Sequence, residues 1–378
     1  MIALIQVYGV NGPAGGPKLL RGLLQADHPP VLSIYTGLDE VAPLPGVEEI
    51  YLPRRPELGK LDRSRFHRWM GFFDRVYRSR FESKLKQIIA ARGVKYIHVI
   101  PHVYDVVPVQ RVAAQLGIPC FITVHDDIES TVAGHPFKSE IVRATASIWR
   151  SAKAAFAISE EIGQEYCRRY GERHFEVITD GLSTIAEAPK AWDGKSFHLF
   201  FMGLFNQGYK ENFRVLLDAL KIVRAERPEW KITVTARSGY ILCPLQPDDV
   251  PVNVVQFSKD VREAERQMLT ADLLYQPMTF EGESFGRFSM STKMVSYLGS
   301  GIPILYHGPE YAAACKLLAG HQAAVCCTSL DARIMARQLM EAMPGGQEVA
   351  RHALALARER FMLADQQRRF WQSIREAM

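Results

Sequence analysis

Short, densely apolar runs alternate along the chain with longer stretches whose apolar residues recur at three- and four-residue steps. The runs over residues 2–8, 31–36, 48–52, 96–100, 120–124 and 154–158 read as buried strands in a first half. Those over 197–203, 230–236, 252–257, 272–276 and 302–306 repeat the pattern in a second half. Helices are expected over 106–116, 137–151, 213–226 and 261–270, from a Ser159 N-cap onward, and between 291 and 299. From Asp331 the chain reads as helical, with a break at Pro344-Gly345-Gly346. Strands and helices taking turns in both halves predict an α/β protein built on two doubly wound parallel sheets. The polar stretch 184–195 separates them as a linker.

In such sheets, ligands bind at loops that follow the carboxyl ends of strands and open helices, where free N–H groups and the helix dipole favour an anion. Four such places stand out. The loop after the first strand, Gly9 to Gly16, is glycine-rich and ends in Gly15-Gly16. His125 ends the strand 120–124; as an isolated histidine it has many structural uses, and His102 and His135 in nearby loops rank below it. The loop from Gly203 reaches Lys210 at a helix start, a position that opposes the helix dipole unless an anionic ligand is present. Phe280-Glu281-Gly282-Glu283-Ser284-Phe285-Gly286-Arg287 places two carboxylates and two glycines after a buried strand. Carboxylates beside a phosphate cannot bind it, so they point to sugar or ribose hydroxyls.

The last stretch resembles the donor-binding signature of retaining GT-B glycosyltransferases of the family-four kind. Glu283-Ser284-Phe285-Gly286 and Ser300-Gly301-Ile302-Pro303-Ile304 carry the likeness. It implies two Rossmann-like domains facing a central cleft: 1–183 on the acceptor side, the linker 184–195, a nucleotide-sugar domain over 196–355, and a C-terminal helix over 356–378 crossing back to the first domain. It further implies that Glu283 holds the sugar hydroxyls and that His125-Asp126 sits near the reacting carbon. Gly15, Gly16, Gly203, Lys210, Arg237, Phe257, Ser284, Phe285, Gly286, Arg287, Lys293 and Ser296 would then line the donor, with backbone near Phe257 and Ser258 beside the base. Two positions depart from the pattern. Ser296 stands where the family has a ribose-binding Glu, and Leu204 where it has a diphosphate-binding Arg, a role open to Arg237, Arg287 or Lys293.

The implied reaction transfers a sugar from a nucleotide diphosphate sugar to a hydroxyl of a glycan or lipid-linked acceptor, with retention. UDP-sugar is favoured over GDP-sugar. No cofactor beyond that co-substrate is expected, and no metal, because no Asp-x-Asp motif or His/Cys ligand spacing is present. Ser296 and Leu204 support an alternative, a non-catalytic nucleotide-sugar-binding partner of a glycosyltransferase complex; a same-fold epimerase ranks lower. A dinucleotide oxidoreductase is disfavoured, since neither glycine loop reads Gly-x-Gly-x-x-Gly with an acid about twenty residues on.

Composition adds one feature. Apolar content of 47% and charged content of 23% are ordinary for a globular protein. No apolar run is long enough to span a bilayer, and the N-terminus reads as a strand, not a signal peptide. The six cysteines lack any C-x-x-C pair and read as reduced packing residues of a cytoplasmic protein. The net charge of +5 is uneven, however: residues 54–86 hold eleven Lys or Arg against four Asp or Glu, a local +7. Within this stretch Phe66, Trp69, Met70, Phe73, Val76 and Tyr77 recur at helical steps, bordered by Arg65, Arg68, Arg75 and Arg78. This basic amphipathic helix either packs its aromatic stripe on the core or meets an anionic membrane peripherally, at its inner face, through residues 60–86. No nucleic-acid motif accompanies it, and no nucleic acid partner is expected.

Overall fold

The structure, a computed structural model, describes residues 1–12, 15–37, 42–61, 67–256 and 261–378. It divides into two compact units, Met1–Asp180 with Leu363–Met378, and Gly181–Met362.

The first unit carries β1 (Ile2–Gln6), α1 (Gly15–Leu23), β2 (Val31–Tyr35), β3 (Glu48–Tyr51), α2 (His67–Val76), α3 (Arg78–Arg92) and β4 (Tyr96–Val99). It continues with α4 (Val106–Leu116), β5 (Cys120–Val124), α5 (Ile128–Thr131), α6 (Lys138–Ser151), β6 (Ala155–Ala157), α7 (Glu160–Tyr170) and β7 (Glu176–Val177). Its strands are parallel, in the order β3-β2-β1-β4-β5-β6-β7. β1 and β5 are buried along their full length, because helices cover both faces of a parallel sheet. Ser159 caps α7 as its sequence position predicts, its Oγ accepting from the Ile162 N–H at 3.3 Å.

The second unit carries β8 (Ser196–Met202), α8 (Lys210–Glu226), β9 (Lys231–Arg237), β10 (Val252–Val255), α9 (Val261–Leu269), β11 (Leu273–Pro277), α10 (Glu283–Phe288) and α11 (Thr292–Leu298). β12 (Ile304–His307), α12 (Ala313–Gly320), β13 (Val325–Cys327) and α13 (Ala332–Arg360) complete it. The order is β10-β9-β8-β11-β12-β13, again all parallel. Along β8, Phe197, Leu199 and Phe201 join the core on one face and Phe200 the core on the other, the two-residue period of a strand buried on both sides. Each sheet reverses its winding once, between β1 and β4 in the first unit and between β8 and β11 in the second. Crevices at such reversals are where doubly wound sheets take ligands.

Several expectations are corrected. The stretch 184–195 is not a loose linker but lies on the second unit. The Ala186 and Lys190 N–H groups donate to the carbonyls of Gly299 and Gly301, and the Lys190 ammonium meets Asp272 at 3.1 Å. Pro344 does not break α13, which runs on for 29 residues. Packing overrides local propensity here: α13 lies along α8, and Gly346 presses so closely on Pro303 that an added Cβ would stand 3.0 Å from its Cγ. The C-terminal segment that belongs to the first unit begins at Leu363, as α14 (Leu363–Ala377), rather than at 356. There the Trp371 indole donates to the Leu23 carbonyl at 2.8 Å and Gln366 accepts from the Thr179 N–H at 3.0 Å. The expected basic amphipathic helix is present as α2, with α3 following from Arg78; of its stripe, Trp69, Phe73 and Val76 are exposed, Met70 and Tyr77 are half-buried, and Phe66 lies outside the described residues.

Candidate active site

In the second unit three of the candidate residues, Gly203, Arg237 and Lys293, meet at the end of β8. Gly203 follows that strand with φ +117°, a conformation that favours glycine, and its N–H donates to the Arg237 carbonyl at 3.1 Å. Arg237, at the end of β9, is buried beside it. α11 is seated above the same point. The Tyr297 hydroxyl accepts from the Met202 N–H at 3.0 Å. Lys293 lies one turn earlier on the same helix face, and this brings its side chain over Gly203, with Nζ 3.8 Å from where a Cβ would stand.

The Lys293 ammonium is 4.6 Å from the Phe201 ring centroid and 5.3 Å from that of Tyr209. Among the described residues no carboxylate pairs with it. The residue as a whole is half-buried, but its charged end lies among rings, and this withdrawal from water pulls the Lys293 pKa down to about 7. Two aromatic faces attract the cation, by about 2 kcal/mol for a desolvated contact, but supply no formal negative charge. An anion arriving at Gly203 would compensate the cation.

The surrounding loops are fixed by side chains that the sequence did not single out. Asn212 donates to the carbonyls of Met278 (3.0 Å) and His307 (2.9 Å), and Tyr275 Oη donates to the Asn212 carbonyl at 3.2 Å. The start of α8 is thereby tied to the ends of β11 and β12, the edge where the winding reverses. Gly208 touches the Thr279 turn so closely that a Cβ would meet Thr279 Oγ1 at 2.6 Å. Lys210 is exposed at the first position of α8. Of the candidate lysines, Lys293 is thus lodged among rings and Lys210 stands in solvent at a helix start. Leu204 is 70% exposed. Ser296 donates back to the Thr292 carbonyl of its own helix at 3.2 Å. Glu283, Ser284, Phe285, Gly286 and Arg287 lie on α10; Gly286 is buried, and the Arg287 guanidinium stands 5.7 Å from the Tyr311 ring centroid. Phe257 and Ser258 lie outside the described residues.

In the first unit, Gly15 and Gly16 begin α1, and His125 follows β5. Gly16 lies against the imidazole, its absent Cβ 3.2 Å from His125 Nδ1. His125 is buried, and its Nε2 has no hydrogen-bond partner among the described residues. Burial, then the neighbouring His102 and His98, lower its pKa to about 3, so the ring is neutral at physiological pH. His102 accompanies it at 5.8 Å between centroids and lies 3.6 Å from Asp126. His135 goes elsewhere, to Asp74. The glycine loop before α1 is held by two residues that the sequence did not reveal. The Arg21 guanidinium donates to the carbonyls of Val10 and Gly12, each at 2.7 Å, and Glu49 accepts from the Val10 N–H at 2.9 Å.

No protein-family model and no curated protein sequence matches the chain. Solved structures do. A UDP-forming α,α-trehalose-phosphate synthase from Burkholderia xenovorans superposes with a TM-score of 0.69 at 14% identity, covering 100% of this chain and 99% of its own. Anabaena HepE in complex with UDP and glucose gives 0.65 at 14% identity, covering 99% and 98%. A trehalose-6-phosphate structure from E. coli bound with UDP-2-fluoro glucose gives 0.67 at 12% identity, covering 100% and 99%. Likeness of this extent at such low identity establishes the fold: two doubly wound parallel-sheet units of the GT-B kind.

Proposed function

We propose that this chain is a metal-independent retaining glycosyltransferase that moves a sugar from a nucleoside-diphosphate sugar to a hydroxyl of a glycan or lipid-linked acceptor. The observation that carries the reading is the Lys293 ammonium, lodged over Gly203 against Phe201 and Tyr209 with no carboxylate partner among the described residues. A cation prepared in this way suits a leaving diphosphate, whose charge grows as the glycosidic bond breaks. Lys210 and the N–H groups at the start of α8 add to the same field. The neutral imidazole of His125 suits a hydrogen bond to a sugar hydroxyl rather than a charge on it. The GT-B neighbours that carry UDP, with glucose or as a UDP-fluoroglucose, favour a UDP-sugar over a GDP-sugar.

A second reading, a nucleotide-sugar-binding partner without turnover, draws on Leu204 and Ser296. The first is an exposed apolar side chain where the resemblance expects a diphosphate-binding Arg, and the second, where it expects a ribose-binding Glu, is a short side chain that donates to its own helix.

A thermal-shift panel with UDP, GDP and ADP, with and without EDTA, is the first test. A ligand that binds only the folded state raises the melting temperature. The transferase reading expects a shift with UDP that EDTA leaves unchanged, is much reduced in Lys293→Met, and is accompanied by UDP release from UDP-sugar. A shift without release in the presence of acceptors selects the second reading. No shift with any nucleotide rejects both.

A further inference from the structure

α2 presents its apolar side outward. Trp69, Phe72, Phe73 and Val76, spaced as one helix face, are 64%, 46%, 39% and 72% exposed. The opposite face carries Gly71 and Asp74, both buried. Asp74 binds Arg54 at 3.1 Å and Arg55 at 3.0 Å and lies 3.4 Å from His135 Nε2. A Cβ on Gly71 would meet His135 Nε2 at 2.8 Å and Pro136 Cδ at 2.9 Å, so the helix rests directly on that loop. Together these contacts fix the rotation of α2. Rolling the aromatic face inward would strip Asp74 of its cations and force large side chains where no Cβ fits. The outward stripe is therefore built into the unit.

The stripe continues into a basic cleft. Phe72 meets Phe137 edge-on at 5.5 Å, and the Arg75 guanidinium lies 5.0 Å from the Phe137 ring centroid. Arg75, Lys138 and Arg143 line a cavity of about 340 Å³ there, together with Ser139 and Glu140. None of the three cations has a carboxylate partner among the described residues. The acid, Glu140, is already engaged by Arg78 at 3.1 Å and Tyr104 at 3.3 Å. Arg80 and Lys84, exposed on α3, add positive charge nearby in the chain.

We propose that this face docks on an anionic lipid surface, with Trp69, Phe72, Phe73 and Val76 entering the boundary between headgroups and acyl chains and the Arg75–Lys138–Arg143 cleft holding a lipid phosphate. Charge complementarity selects this occupant: an apolar helix face bordered by cations that have no carboxylate partner among the described residues suits a plane of anionic headgroups over hydrocarbon. A second copy of the chain would set the same positive charges against one another. The inference does not depend on the transferase reading, because nucleotide binding and vesicle binding are measured separately.

The test is co-sedimentation of the full chain with vesicles of phosphatidylcholine containing about one quarter phosphatidylglycerol, and with phosphatidylcholine alone, at low and high salt. Binding is expected on the anionic vesicles at low salt and at least roughly tenfold less in either other condition. Trp69→Ser with Phe72→Ser, both at exposed positions, should lower binding at least roughly tenfold. Arg75→Gln, Lys138→Gln and Arg143→Gln together should lower it roughly 100-fold, from about one tenfold loss or slightly less per charge. Both variants should melt as the parent does. Absence of binding to the anionic vesicles at low salt overturns the proposal, as does equal binding to neutral vesicles or binding that neither variant alters. A concentration-dependent dimer in ultracentrifugation that the Trp69/Phe72 variant abolishes would assign the face to a second copy and also overturn it.

Discussion

The Lys293 ammonium lies 4.6 Å from the centre of the Phe201 ring, with the chain at Gly203 beneath it. The arrangement costs the folded protein stability. A lysine whose pKa falls from 10.5 to about 7 on folding binds fewer protons folded than unfolded between those values, so stability rises with pH across that window. Lys293→Met keeps the apolar stem and removes the charge. It should raise the melting temperature at pH 7 by several degrees while weakening UDP binding at least roughly tenfold. Scanning calorimetry and isothermal titration on the same samples check both signs; a fall in both stability and affinity would mean that the charge is structural.

The same residue predicts the pH dependence of binding. A diphosphate beside Lys293 raises its pKa, so the complex holds more protons than the free protein above pH 7. Affinity for UDP should then fall as pH rises through about 7, by up to roughly tenfold per unit until the pKa of the complex is reached. Titrations at pH 8 in buffers of different ionisation enthalpy should show proton uptake, and Lys293→Met should show none.

Tyr297 links this lysine to the sheet. Replacing it with Phe leaves the half-buried Met202 N–H without that acceptor, a loss of about 0.5–1.5 kcal/mol, and frees α11 to shift. Urea denaturation should show the stability loss, and UDP affinity should fall with it. A variant that is destabilised but binds UDP as the parent does would separate the helix seat from the anion site.

Gly16 tests the first unit by itself. In Gly16→Ala the new methyl would sit 3.2 Å from His125 Nδ1, and the buried ring has little room to yield. Turnover should fall about tenfold or more while UDP affinity stays within roughly twofold, since the anion site belongs to the other unit. Gly345→Ala, in α13 with nothing within 4 Å of its Cβ, is the control: helix propensity predicts a gain of up to about 1 kcal/mol and unchanged turnover.

Three buried histidines should make the protein acid-sensitive. His98, His125 and His307 have pKa values lowered by burial to about 3, 3 and 4. Each remains neutral in the folded state while its unfolded counterpart takes a proton below about 6.5, so stability falls as pH drops through that value. The slope is about 1.4 kcal/mol per pH unit for each group until its folded pKa is reached. Melting temperatures at pH 7 and pH 5 measure the loss, and His98→Gln should flatten it.

Much of the fold was legible in the chain. Buried parallel strands announce themselves as short apolar runs, and glycine, Ser159 and Asp331 mark helix ends through local hydrogen bonding. The capping of α7 by Ser159, and of α13 by Asp331, which accepts from the Arg333 and Ile334 N–H groups, depends on neighbours a few residues away and can be read without a structure. The unbroken course of α13 through Pro344 could not, because its support comes from α8 and Pro303.

The candidate site divides in the same way. That glycine loops, a histidine and lysines stand at strand ends follows from element order and can be read from the chain. Which of them meet is set by folding. Lys210 and Lys293 look equally available as residues in a list, but Tyr297 and Phe201 place one of them over Gly203 and leave the other in solvent. Arg21 and Glu49 hold the first glycine loop from positions with no motif, and α2 turns its aromatic face outward because Asp74 finds Arg54, Arg55 and His135 inside. The physical reason is common to all of these cases. Periodicity and capping are set by interactions between near neighbours, whereas the burial of a charge, and the partner that meets it, depend on residues brought together by folding from distant parts of the chain.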